Sequence, residues 1–200
     1  MIDPKPFALN LDLATGILAS CTTHIERRLS DMAAMYADVA TVQCALSGSN
    51  PVLYEVYEQD VPHENGQLLV VTTVLRPGKI GDEYYMTKGH FHARKDTAEV
   101  YLGLQGQGRL LMCTSDGQFE SLPFRPGTVG YIPPFWAHRM ANVGDSDFIF
   151  FGVYPADAGH DYRAIETQGF PYRLVERQGE PKLVPMVLLQ SAASVPDGQR

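Results

Sequence analysis

Apolar and polar positions alternate along most of this chain, and the style of the alternation changes near residue 48. Before that point Ile25, Leu29, Met32, Met35, Tyr36 and Val39 recur at mostly three- and four-residue intervals. That is the spacing of one face of an α-helix. It predicts an amphipathic helix over 25–46, capped by Thr22 or Thr23 and rich in the helix-favouring Ala, Met and Arg. Its apolar face would pack on a barrel or on a subunit partner. Residues 1–20, punctuated by Pro4 and Pro6, read as irregular.

From Gly48 onward the apolar runs are short and β-rich: 52–58, 67–75, 84–92, 100–104, 109–114, 129–132 and 148–154. Turn signals separate them at Asn65-Gly66, Pro77-Gly78, Asp116-Gly117 and Pro126-Gly127. Many short strands with regular turns predict an all-β sandwich or barrel. The run 148–154 is apolar on both parities, as in a strand buried on both faces. Beyond Tyr162 a short Ala-Ile-Glu turn, Pro171 and the apolar run 183–189 read as an edge strand or arm, and Ser194–Arg200 as a frayed end. The expected division is an N-terminal extension with a helix (1–47), a β-barrel (48–190) and a tail (191–200).

Composition narrows the function classes. The 200 residues are 44% hydrophobic and 20% charged, with a net charge of −7. One domain of this length buries a core without staples. The acidic balance argues against non-specific nucleic-acid binding, yet leaves room for a small anionic substrate, which answers to local donors. Cys21, Cys44 and Cys113 form no CxxC pair, so neither a zinc knuckle nor a disulfide framework is expected. Free thiols fit a reducing compartment. Lacking a basic leader and any long apolar run, the chain is expected to be cytoplasmic and off the membrane.

The chemistry concentrates in histidines. His90 and His92 lie two apart, so in an extended strand both imidazoles share a face, suited to one metal ion. Downstream stand two acids, Asp96 and Glu99, then Gly127, Pro133, His138 and Asn142. This order resembles the two-part cupin signature, in which a His-x-His and an acid precede Gly, Pro, His and Asn. Phe135 replaces a usual Gly, and no Gly stands at the usual place before His90. Spacing admits Asp96, with Gly103 in step, or Glu99, with Gly106. Local pattern leans to Glu99, which opens a strand, whereas Asp96 sits in the polar turn 94–97.

Five blocks make the resemblance more specific: Tyr85-Met86-Thr87-Lys88-Gly89-His90-Phe91-His92-Ala93, Ala98-Glu99-Val100-Tyr101, Tyr131-Ile132-Pro133-Pro134, Trp136-Ala137-His138-Arg139, and Tyr154 to Tyr162 (YPADAGHDY). Over roughly 75–170 the chain resembles the archaeal-type, cupin-fold glucose-6-phosphate isomerases. The resemblance implies an all-β cupin barrel (jelly roll) with an N-terminal extension, and a homodimer. It also implies one divalent metal per subunit on His90, His92, Glu99 and His138, which selects Glu99 over Asp96. Three imidazoles and a carboxylate suit Fe(II), placed first here, or Mn(II), Ni(II) or Zn(II).

Such an enzyme would interconvert glucose 6-phosphate and fructose 6-phosphate in glycolysis and gluconeogenesis. The metal polarises the oxygens, and Glu99 carries a proton, unless a hydride shift replaces that step. By resemblance the phosphate falls to Thr73, Thr87, Gly89 and Tyr154. Lys88 is added because it shares parity with His90 and His92. That parity turns Thr87 away, unless a bulge near Gly89 or backbone N–H groups reconcile the two. Tyr101 and Tyr162 are candidate substrate contacts and His160 a candidate acid/base. Trp136 is expected to pack at the barrel mouth rather than stack on sugar, and His24 and His63 to be surface residues. Because one scaffold hosts many functions, the rivals are mannose-6-phosphate isomerase, a dioxygenase, or a non-catalytic sugar-phosphate-binding cupin.

Overall fold

The computed structural model describes residues 5–186. Its strands, in chain order, are β1 (Thr23–Arg28), β2 (Val52–Gln59), β3 (Leu68–Leu75), β4 (Lys79–Ile80), β5 (Glu83–Tyr84), β6 (Phe91–His92), β7 (Glu99–Gln105) and β8 (Gly108–Thr114). They continue as β9 (Phe119–Phe124), β10 (Val129–Ile132), β11 (Trp136–Asn142), β12 (Phe148–Pro155), β13 (His160–Asp161), β14 (Tyr172–Arg177) and β15 (Glu180–Pro185). Three short helices complete it: α1 (Leu29–Met32), α2 (Val39–Gly48) and α3 (Tyr162–Gln168). The largest sheet has six strands in the order β1-β2-β3-β12-β7-β10, all neighbours antiparallel. A three-stranded sheet, β11-β8-β9, contributes to the same core, and two smaller sheets, β13-β6 and β15-β14-β5-β4, complete the set. The result is the expected cupin-like β fold with few helices.

Alternation along the strands builds the core. From the large sheet Leu75, Phe148 and Phe150 point inward, and Leu110, Met112 and Met140 of β8 and β11 join them in one buried cluster. Phe148 lies tilted against Phe150 with ring centroids 5.4 Å apart, and Phe150 against Tyr101 at 4.9 Å. Burying a side chain of this size contributes about 1.5–3 kcal/mol. The strand expected to be buried on both faces is β12, which lies between β3 and β7. The N-terminal segment covers its second face at Ile149, while Phe151 and Val153 on that face are half-buried. The Thr72 hydroxyl donates to the Gly16 carbonyl at 2.7 Å. A Cβ on Gly16 would stand 2.6 Å from Ile149 Cγ2, and φ there is +75°, so only glycine lets the segment lie this close.

Two expectations need correction. The helix expected over 25–46 is instead β1, then α1, a tight single turn at Ala33–Met35, and α2. Residues 23–28 alternate half-buried and exposed, so Thr23, Ile25 and Arg27 share one face and His24, Glu26 and Arg28 the other. That is the strand period, and β1 completes it by pairing with β2, Arg27 opposite Tyr54. Thr22 caps no helix; its hydroxyl accepts from Asp60 N at 2.7 Å. The helix proper begins at Asp38, whose carboxylate accepts from Thr41 N at 2.9 Å, a standard N-cap. The expected strand 84–92 is likewise broken. Between β5 and β6 only Met86 and His90 keep single bridges to β11, because Gly89 takes φ +76° and turns the chain.

The C-terminal run is an edge strand, β15, as far as it is described. Residues 187–189 of that run and the tail 191–200 lie outside the described residues.

The packing predicts a sharp contrast. Leu110→Ala, at a site fully shielded from solvent, should lower unfolding free energy by about 2–5 kcal/mol. Leu13→Ala, 65% exposed, should change it by less than about 0.5 kcal/mol. Urea titration of both variants measures the difference.

Candidate metal centre

One contact assembles the centre. His90 N–H donates to the His138 carbonyl at 3.2 Å, and His138 N–H donates back to the His90 carbonyl at 3.1 Å. This antiparallel bridge sets two imidazoles side by side, their ring centroids 4.5 Å apart. His92 follows on β6 with its centroid 5.7 Å from His90. Glu99 opens β7, and its Oε2 stands 3.2 Å from His92 Nε2 and 3.0 Å from His138 Nε2. One donor atom from each of His90, His92, Glu99 and His138 lies within 4.8 Å of the others. Asp96, the competing acid, is not among them. Its side chain is 70% exposed and pairs with Arg94.

The donor set fits a cation on grounds internal to the protein. His90 Nε2 is buried without a hydrogen-bond partner, and buried His138 Nε2 faces the Glu99 carboxylate at 3.0 Å. Buried polar atoms normally have a partner, so an orphaned imidazole nitrogen in one cluster with two more imidazoles and a carboxylate marks a place for something positive. His92 is held by its other nitrogen: Nδ1 is 2.8 Å from the Thr97 hydroxyl and 3.1 Å from the Thr97 carbonyl. Donation from Nδ1 leaves the Nε2 lone pair toward the cluster, the usual way an imidazole ligand is oriented. Burial by itself would raise the Glu99 carboxyl, but the adjoining His138 and His92 overcome this and hold it at about 2. Glu99 is therefore an anion across the ordinary pH range. Burial, with His138, His160 and His92 around it, keeps His90 far below the ordinary imidazole range and so neutral.

A pocket opens above these groups. Its walls include Thr73, Thr87, Lys88, Gly89, Tyr101, Tyr154, His160 and Tyr162, together with His90, Glu99 and His138. His160 comes from β13, paired opposite His92, with its ring centroid 4.3 Å from His90 and stacked on Tyr162 at 5.6 Å. Burial lowers its pKa more than the Glu99 charge raises it. The turn at Gly89 is how Thr87, Lys88 and His90 all reach one pocket. A Cβ there would meet Arg139 Nε and Phe170 Cε2 at 2.9 Å, and Arg139 Nη2 donates to the Lys88 carbonyl at 2.7 Å.

Some side chains are already engaged. The Thr87 hydroxyl accepts from Met140 N at 3.0 Å, and the Tyr154 hydroxyl donates to Glu58 at 2.6 Å. Lys88 Nζ is 2.6 Å from Glu166 of α3 and 4.9 Å from the centre of the Tyr162 ring. Trp136 packs against the core and does not line the pocket. His24 and His63 are surface residues, paired with Glu55 and Asp60. The sequence reading missed three polar wall residues: Arg27, Tyr54 and Glu58. Reading 23–28 at a period of two would have found Arg27.

A family model described as glucose-6-phosphate isomerase matches residues 26–183. This chain belongs to the glucose-6-phosphate isomerase family. Relatives named glucose-6-phosphate isomerase include that of Pyrococcus horikoshii, 45% identical over 90% of this chain and 95% of its own. The Pyrococcus furiosus protein is 46% identical over the same shares. One from Sinorhizobium medicae is 37% identical over 82% of this chain and 78% of its own. The family likeness thus extends well beyond 75–170, through β1 and into β15. Among solved structures, oxalate decarboxylase from Bacillus subtilis is similar at a TM-score of 0.43, with 24% identity, over 54% of this chain and 26% of that one.

If the four donors hold a divalent ion, adding Mn(II) or Fe(II) at about 100 times its Kd should stabilise the folded chain by about 2.7 kcal/mol. A thermal melt reads this. The gain should shrink below about pH 6, where imidazoles take up protons in place of metal, and vanish in His138→Ala.

Proposed function

We propose that the chain is a metal-dependent aldose–ketose isomerase interconverting glucose 6-phosphate and fructose 6-phosphate. It would hold one divalent ion per subunit, Fe(II) first among Fe(II), Mn(II), Ni(II) and Zn(II), on His90, His92, Glu99 and His138. The observation that carries this reading is the convergence of three imidazoles and one carboxylate, the buried His90 Nε2 unpartnered, at the base of a pocket in a chain of this family. We place it in the cytoplasm, in glycolysis and gluconeogenesis, as a homodimer. Val100, Val129 and Tyr131, exposed on adjacent strands at the β10 edge, offer an apolar face for the second copy. No helix among the described residues is long and apolar enough to cross a membrane.

When bound, the ion supplies Lewis acidity toward the carbonyl and hydroxyl oxygens of C1 and C2. The protein's own groups do the rest. Thr73, Thr87, Lys88, Gly89 and Tyr154 offer hydrogen bonds to the phosphate, and Tyr101 and Tyr162 contact the chain of the sugar. His160, neutral at ordinary pH because burial lowers its pKa, takes the proton of the anomeric hydroxyl as the ring opens and passes it to the ring oxygen, and reverses the transfer on closure. Glu99 carries the proton between C2 and C1 through a cis-enediolate. One observation favours a second route. A carboxylate held at about 2 is a poor base, which favours a hydride shift from C2 to C1 that needs no protein base.

Fructose 6-phosphate turnover before and after EDTA, with single metals added back in deuterated water, tests both points. Activity should disappear on chelation and return with one metal. Deuterium in the sugar product supports the Glu99 route, and its absence the hydride shift. No turnover with any of the four metals removes the isomerase reading; oxygen uptake, or product from mannose 6-phosphate instead, favours a rival cupin enzyme.

The pH profile should carry His160's signature. Glu99, at about 2, titrates too low to supply an acid limb. Since burial depresses His160, kcat/KM should fall on the acid side with a midpoint below about 6.5. His160→Gln should lose about 10²–10⁴ in rate, together with the part of that limb that persists at saturating metal, with bound metal unchanged by elemental analysis.

A further inference from the structure

β1 points Arg27 into the pocket, on the same face as Ile25 and opposite Tyr54 of β2. We propose that Arg27 supplies the unpaired positive charge that recognises the phosphate of the substrate, beside the neutral donors named above, and so sets the preference for phosphorylated over free sugars. The inference rests on the sugar-phosphate reading above and adds to it a residue from the segment expected to be a helix.

Three observations point to it. First, Arg27 has no acidic partner, and the group it hydrogen-bonds is the neutral Tyr54 hydroxyl. Among the described residues no carboxylate comes within the 4.0 Å ion-pair distance of it, whereas its neighbour Arg28 pairs with Glu26 at 2.7 Å. The other pocket cation, Lys88, is held by Glu166 at 2.6 Å. Second, it stands where hydrogen-bond donors gather. The Tyr54 hydroxyl facing it is 3.4 Å from Lys88 N. Burial raises the Tyr54 and Tyr162 hydroxyls, and the Arg27 charge pulls both partway back, so one guanidinium is felt by both. Third, the pocket otherwise repels an anion. Glu58 and Glu99 line it, Glu58 accepting from Tyr154 rather than pairing with Arg27.

A phosphate monoester carries about −1.5 to −2 charges at neutral pH. Of the two pocket cations, only Arg27 offers the planar fork that binds phosphate through two hydrogen bonds.

The test compares metal-loaded wild type, Arg27→Gln and Arg27→Lys. KM for fructose 6-phosphate and the dissociation constant of inorganic phosphate, the latter by phosphorus NMR titration, should rise together by about 10- to 100-fold in Arg27→Gln. kcat should change much less, and Arg27→Lys, keeping charge without the fork, should fall between. A merely structural role would lower metal content, melting temperature and kcat instead. KM and phosphate affinity within about two-fold of wild type, or a loss confined to kcat, would overturn the proposal. Wild type that binds phosphate through Arg27 but turns over no sugar phosphate would leave this assignment standing and remove the isomerase reading.

Discussion

Two backbone hydrogen bonds, exchanged between His90 and His138, hold together residues far apart in sequence. Everything chemical in this molecule depends on that bridge. It aligns two imidazoles, and the His90 Nε2 it buries has no partner in a core where an unpartnered polar atom costs about 1–3 kcal/mol. The neighbouring elements serve the same arrangement. β7 brings Glu99 as a permanent anion, Thr97 fixes the orientation of His92, and Arg139 clamps the Lys88 carbonyl beside the turn that admits His90. A cation among these donors would remove the cost and link the sheets more tightly. Stability and chemistry would then come from the same ion.

Barrel geometry explains how so small a core offers so polar a cavity. At the β8–β9 side, Phe124, Phe148 and Leu110 close the space between the sheets. Toward the pocket, the same inward positions change from Phe148 and Phe150 to Tyr154 on β12, and to Glu99 and Tyr101 on β7. The period of the strands is constant while the chemistry of the inward positions changes along them. β1 adds a basic wall by extending the large sheet past β2, which makes the N-terminal region part of the site.

Much of this was legible from residues alone. His90 and His92 stood out by strand parity, and His138 by the cupin-like order of Gly127, Pro133, His138 and Asn142. The hydrophobic runs marked β2, β3, β7, β8, β10 and β12 within one residue, and missed β9 and β11. Spacing alone left Asp96 and Glu99 equivalent; the strand-opening place of Glu99 and the family resemblance chose it, and burial agrees, with Asp96 in solvent and Glu99 in the cluster. Two features were not legible, for physical reasons. Ile25, Leu29 and Met32 mimic helical spacing across a strand–helix junction, because a period of two and a period of 3.6 coincide over so few residues. Tyr84–His92 reads as one strand, but the positive φ at Gly89 and the buried Arg139 against it are tertiary facts. That turn also undoes the simple parity argument for Lys88, whose ammonium turns to Glu166.

The most direct test is anomalous diffraction from crystals of the purified protein loaded with Fe(II) or Mn(II). One strong peak per chain is predicted at the point shared by His90, His92, Glu99 and His138, absent from Glu99→Ala crystals grown the same way. A loaded crystal with no peak there, or with its metal bound at another site, would contradict the proposed centre.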